Sequence, residues 1–133
     1  MEDILTQYRR VAVVGLSPRP DRPSHEVALY LKGHGYEIVP VNPTATQILG
    51  LRCYPDLRSI PGPVEVVDIF RRSEEVGPIV DEAIAIGAKA VWMQDGVVNE
   101  GAEAKARQAG LKVVMNQCMM REHHRIEHRR WSG

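Results

Sequence analysis

The chain has 133 residues, 44% of them apolar and 26% charged, which suits one soluble globular domain with a single good core. Seventeen basic residues balance seventeen acidic ones, so the composition speaks against a nucleic-acid binder and gives no attraction to an anionic membrane surface. No apolar run approaches the length of a membrane span, the start Met1-Glu2-Asp3-Ile4-Leu5 lacks the features of a signal peptide, and two cysteines (Cys53, Cys118) are too few for a disulfide framework, so the cytoplasm is the expected compartment.

Residues 3–9 read as a short lead-in helix, with Asp3 as its cap and Ile4, Leu5 and Tyr8 on one face. A continuous apolar run over 11–16 predicts a strand buried on both faces. Gly15 ends that run, and a Pro/Arg/Ser loop leads to a helix over 24–34, for which Ser24 is the expected N-cap. Val27, Tyr30, Leu31 and His34 form its stripe, and Gly33 and Gly35 stop it. A second strand spans 37–41, with Pro40 expected near its end. Residues 44–63 read as irregular, punctuated by Gly50, Pro55, Pro61, Gly62 and Pro63 and pinned to the core by Leu57 and Ile60. A third apolar strand covers 64–70, and a helix follows over 74–86, its first turn disturbed by Pro78 and its end marked by Gly87. The fourth strand is 88–93. Asn99 then caps a third helix, with Glu100 and Glu103 in the first turn and Gly110 at the end. The fifth strand is 111–115, and the charged segment 119–130 is compatible with a helix.

Five short apolar strands alternating with helices predict an α/β fold: a single Rossmann-like domain with a five-stranded parallel sheet and helices on both faces. Ligands of such sheets bind at the C-terminal strand edge, near the switch point. The first loop there carries the strongest chemistry. Strand, Gly15, then helix N-terminus is the arrangement that presents backbone amides to a phosphate, and Arg19 and Arg22 add two guanidinium forks. A dinucleotide fingerprint is absent: Gly15 stands alone, Ser17 occupies the second glycine's place, and the second strand ends in Asn42-Pro43-Thr44 rather than an acid. An NAD(P)-type enzyme is therefore the alternative reading, not the leading one.

Val13-Val14-Gly15-Leu16-Ser17 with Pro20, Arg22, Ser24 and Val27, then Gly35-Tyr36 leading to Pro40-Val41-Asn42-Pro43, resembles the small stand-alone CoA-binding proteins. Val67-Asp68-Ile69-Phe70-Arg71, the run from Gly87 to Gln94, and the run from Gly110 to Cys118 continue the resemblance over nearly the whole chain. That family is similar to the CoA-binding domain of the succinyl-CoA synthetase α-subunit. The resemblance implies a Rossmann-like fold that binds coenzyme A, as free CoA or acyl-CoA; it implies no reaction, because the synthetase's catalytic histidine lies in another domain. By position it places Gly15, Ser17, Arg22 and Ser24 at the CoA phosphates, Asn42 and Pro43 in the loop after the second strand, Phe70 and Arg71 beside the nucleotide, and Gln94 and Gly96 toward the pantetheine arm. No nucleic acid or membrane partner is expected, and a homo-oligomer is left open.

Three features stand outside that reading. His124-Arg125-Ile126-Glu127-His128 spells a zinc-protease-like pattern, but a third ligand is missing, so no metal is expected. Cys118, just past the fifth strand, is a weak candidate nucleophile for a thiol-dependent acyl-CoA enzyme. Asp68, within an apolar strand, needs a partner that the sequence does not name.

Overall fold

A computed structural model describes residues 1–132, with side chains through Arg129. Its elements are α1 (Glu2–Gln7), β1 (Arg10–Val14), α2 (Pro23–Lys32), β2 (Glu37–Val41), β3 (Gln47–Ile48), β4 (Leu51–Arg52), β5 (Val66–Ile69), a 3-10 turn (Ser73–Glu75), α3 (Val76–Ala85), β6 (Ala90–Met93), α4 (Glu100–Gln108), β7 (Lys112–Val114) and α5 (Met119–Ser132). Five strands form a parallel sheet in the order β2-β1-β5-β6-β7. The expected fold class is the observed one. Among the described residues no helix is long and apolar enough to cross a membrane.

The alternation of side chains sorts the core into two layers. Ala12, Val14, Val67, Ile69, Val91 and Met93 point to one face and pack under α3 and α4 through Val76, Val80, Ala83, Ala102 and Ala106. Val11, Val13, Val66, Ala90 and Trp92 point to the other and meet Ile4 and Leu5 of α1, Val27, Ala28 and Leu31 of α2, and Met119 and Ile126 of α5. Strands buried on both faces explain why their sequences are nearly continuous apolar runs.

Several local expectations shift for identifiable reasons. The N-cap of α2 is Arg22, not Ser24, because Pro23 takes the first helical position, where its fixed φ suits the turn and its missing N–H costs nothing. Ser24 instead accepts the Ser17 N–H on its Oγ at 3.0 Å, tying the loop to the helix. Asp3 lies inside α1, whose N-cap is Met1, and pairs with Lys112 at 2.7 Å. The 44–63 segment is not wholly irregular: β3 and β4 form a two-residue hairpin through Leu49 (φ 57°) and Gly50 (φ 71°), the left-handed pair that matches strand twist. Leu57 and Ile60 are buried as expected. Pro40 is next to last in the five-residue β2, near the strand's end as expected. β2 is at the edge of the parallel sheet, and Pro40 turns its own carbonyl outward to the Tyr54 N–H at 3.0 Å, so its nitrogen also faces away from β1. Asn99 caps α4 as expected, its Oδ1 accepting the Ala102 N–H at 3.0 Å.

The chain runs from β1 outward to β2, then returns across β1 to β5, so the switch point lies between β1 and β5. Two backbones nearly touch there. Gly15 has φ 86°, and a Cβ on it would stand 2.3 Å from the Phe70 carbonyl oxygen. Gly15→Ala should therefore be strongly destabilising: the left-handed backbone alone costs about 1–2 kcal/mol, and the Phe70 backbone must also move. Denaturant unfolding should show a lower midpoint with an unchanged m-value; an unshifted midpoint would contradict the crossing.

Asp68 is fully buried on β5 between Val13 of β1 and Trp92 of β6. Its partner is Gln94, whose Nε2 donates to Oδ1 at 2.6 Å, while Oδ2 has no partner. Burial pushes this carboxyl up to about 7, against a smaller opposing effect of the Gln94 hydrogen bond. The folded protein thus holds a proton on Asp68 that the unfolded chain releases from 3.8 upward. Between those values the native state binds more protons, so stability falls as pH rises and levels off above about 7. Asp68→Asn, which cannot titrate, is the reference. The stability of the wild type relative to Asp68→Asn should decline across that window, and a difference flat with pH would refute the assignment.

Candidate functional site

The loops after β1, β5 and β6 surround a cleft of about 730 Å³ at the C-terminal edge of the sheet. Gly15, Ser17, Arg19, Arg22 and Ser24 line it from the first loop and the start of α2, Phe70 and Arg71 from the end of β5, and Gln94 from the end of β6. Sequence-predicted residues from three separate loops therefore meet in one cavity. Pro43 lies across the Gly15–Arg71 divide, in a neighbouring groove of about 460 Å³ that also touches Val41, Glu75 and Ile79. Asn42 and Gly96 do not line the cleft. Asn42 binds the two loops together: its Nδ2 donates to the Leu16 carbonyl at 3.0 Å, and its Oδ1 accepts from the Thr44 N–H and hydroxyl at 2.8 and 2.9 Å. Gly96 shapes the β6 loop at φ 79°, its N–H donating to Asn116 Oδ1 at 2.7 Å.

The first loop is braced from within. Besides the Ser17–Ser24 bond, Ser17 Oγ accepts the Arg19 N–H at 3.1 Å, and His25 Nδ1 lies 3.0 Å from the Ser17 carbonyl. The positive end of the α2 dipole opens onto the cleft at Pro23 and Ser24. Three of the four arginines in the lining carry carboxylate partners: Arg19 pairs with Asp21 at 3.1 Å, and Glu75 holds Arg71 at 2.7 Å and Arg72 at 3.5 Å. Arg22 is different. Among the described residues no carboxylate or hydrogen-bond acceptor engages its guanidinium.

On the side toward α5 the cleft is bounded by Val27, Asp95 and Cys118, while Val97 belongs to the layer under α3 and α4. Asp95 is held in a bidentate pair by Arg121 at 2.7 and 2.8 Å, which lowers the carboxyl below its usual range. Cys118 is buried, and burial pushes its thiol up. A protonated thiol at neutral pH is the opposite of an activated nucleophile. The residues that sequence reasoning missed are Pro23, Val27, Arg72, Glu75, Asp95 and Val97. Arg72 and Glu75 were legible as neighbours of Arg71 at helical spacing, and Asp95 lay between two expected residues. Val27 was read as core stripe, and nothing in the sequence marks Val97. In the C-terminal pattern His124 and His128 are exposed, while His123 is buried and lies 2.9 Å through Nδ1 from the Tyr30 hydroxyl. No group of three or more His, Cys, Asp or Glu side chains gathers as a metal-binding set among the described residues.

With this geometry in hand, known proteins give a consistent picture. The Bacillus subtilis protein YneT is 42% identical over 123 residues, covering 92% of this chain and 91% of that protein. The ADP-forming acetate–CoA ligase II of Archaeoglobus fulgidus is 35% identical over 96 residues, which are 70% of this chain but 14% of the ligase. A solved structure, a hypothetical protein from Pyrococcus horikoshii OT3, is 47% identical and superposes with a TM-score of 0.91 over 93% of this chain and 87% of that one. The model of the CoA binding domain matches residues 9–124, from the threshold of β1 into α5, and the chain belongs to that family.

Proposed function

We propose that the chain binds coenzyme A across the C-terminal edge of its sheet. The observation that carries this reading is Arg22: a guanidinium at the cleft lining, beside the α2 N-terminus, with no carboxylate partner of its own among the described residues. CoA supplies a pyrophosphate and a ribose phosphate, and both suit a helix N-terminus flanked by a free guanidinium. The phosphates sit against Gly15, Ser17, Ser24 and Arg22. Arg71 stands between the cleft and the groove at Pro43, which takes the adenosine end, while Phe70, expected beside the nucleotide but absent from that groove, joins Gln94 and Val27 at the pantetheine arm. Gln94 turns its Nε2 inward to Asp68, so its carbonyl oxygen is the end left for an amide N–H of that arm.

An NAD(P) enzyme fits less well. The Asn42 side chain is committed to Leu16 and Thr44 instead of a ribose, and the residues that follow it, Pro43 and Thr44, supply no acid there. A thiol-dependent acyl-CoA enzyme is disfavoured by the raised Cys118 thiol. We therefore take CoA as a ligand held without a chemical step. Two unpaired cysteines and a thiol-bearing ligand suit the reducing cytoplasm.

Calorimetry with CoA and NAD at low salt tests the reading: CoA should bind measurably and NAD much more weakly, and equal or tighter NAD binding would overturn it. Charge-assisted hydrogen bonds contribute roughly 1.5–3 kcal/mol, so Arg22→Ala should weaken CoA by about one to two powers of ten. Arg22→Lys should restore only part of that, because an ammonium lacks the planar fork. Dephospho-CoA locates the contact: an equal loss for both ligands places Arg22 on the pyrophosphate, and a loss confined to CoA places it on the ribose phosphate. An unchanged CoA affinity in folded Arg22→Ala would remove Arg22 from the site.

A further inference from the structure

A second hollow, of about 500 Å³, opens along the seam between α2 and α5. It adjoins the cleft, with Pro23, Val27, Asp95 and Cys118 lining both. Its own walls are Tyr30 and Glu26 of α2 and Met120, Arg121 and His124 of α5. Pro23, Val27, Cys118, Met120 and the Tyr30 ring give it an apolar floor. The shared residues lie on the side of the cleft away from Arg71 and Arg72, so the hollow begins where the non-nucleotide end of a bound CoA would point.

We infer that this hollow is an acyl-binding lobe, and that the ligand it completes is a CoA thioester with a short, linear, uncharged acyl group. The inference rests on the CoA reading above and adds the class of ligand to it. Charge decides the kind of acyl group. Arg121 gives both arms of its guanidinium to Asp95, so a terminal carboxylate would have to displace a bidentate pair to reach it. Glu26 on the wall repels one. A dicarboxylic acyl group would therefore set its charge beside a like charge, a repulsion that an apolar chain of the same length does not meet. Cys118 stands at the junction of the two cavities. Its thiol is buried and held protonated, so a thioester can lie past it without being attacked.

Isothermal titration at pH 8 with free CoA, acetyl-, butyryl-, hexanoyl- and succinyl-CoA tests the lobe. Affinity should rise from CoA through acetyl- to butyryl-CoA, by up to about fourfold per methylene buried, and succinyl-CoA should bind no better than CoA. Met120 lines only the lobe, so Met120→Trp should erase the preference for butyryl-CoA while leaving free CoA unchanged. Met120→Ser, which removes apolar wall instead of filling space, is the second variant should the first fail to fold, and it should flatten the same preference. Equal affinities for CoA and all thioesters would overturn the lobe. So would a tighter succinyl-CoA, or a Met120→Trp protein that loses free CoA as much as butyryl-CoA, which would put pantetheine in the hollow. Failure of the CoA reading itself looks different: no CoA species, free CoA included, would bind.

Discussion

The site depends on a near-collision of two backbones. β1 and β5 are neighbours in the sheet, and at their C-terminal ends the chain leaves in opposite directions, outward over β2 and inward toward β6. Room for a ligand between those exits exists only if the strand ends themselves stay close together. Gly15 allows this, because it bonds the Val41 carbonyl on one side at 3.0 Å and leaves Phe70 on the other no space for a side chain. The cleft residues of the first loop and of the β5 end then leave from backbones that meet at that crossing.

The electrostatics of that loop are graded rather than uniformly positive. Glu75 restrains both Arg71 and Arg72, and Asp21 restrains Arg19, so the cleft carries much less free charge than four arginines suggest. The restraint is weak in energy. These pairs are solvent-exposed, and exposed ion pairs contribute about 0–1 kcal/mol. A phosphate that accepts charge-assisted bonds gains more than such a pair loses, so Arg71 can exchange Glu75 for a phosphate at little cost. The carboxylates thereby hold the arginines in place and keep the neutral overall charge of the chain, which limits nonspecific attraction to other polyanions.

How much of this was legible in the sequence depended on the range of each interaction. The sheet, its order of elements, the Asn99 cap and the burial of Leu57 and Ile60 follow from local pattern, and each appeared where the pattern put it. The start of α2 was misread because two good local signals competed: Ser24 is a fine cap, but Pro23 is a better first helical residue, and the helix takes the earlier start. The β3–β4 hairpin was hidden because its turn uses Leu49 at positive φ, without the Asn-Gly or Asp-Gly pair that usually marks such a turn. Asp68 with Gln94, and Asp95 with Arg121, are each joined across 26 residues, and no spacing rule links them. Cleft residues that came from the family resemblance met in space when their side chains project from strand ends. Asn42 and Gly96 instead sit where they shape loops.

Asp68 is a costly group to bury, and it bears on how the centre of the sheet reaches the surface. An apolar residue at this position of β5 would pack well between Val13 and Trp92 and would avoid a desolvated carboxyl. It would also leave Gln94 without a partner for its inward nitrogen. Gln94 is almost wholly buried yet forms part of the cleft lining, so its orientation matters more than its exposure. A side-chain amide has two chemically different ends of nearly the same shape, and packing alone distinguishes them poorly. Once ionised, above about 7, the carboxyl of Asp68 distinguishes them, because it then accepts and does not donate, and the 2.6 Å bond has the nitrogen inward. Burial of a titratable group thus costs stability at neutral pH, and in exchange one polar atom of the cleft floor has a defined identity. That trade is local to the end of β6, beside the crossing at Gly15, where the sheet stops being core and becomes site.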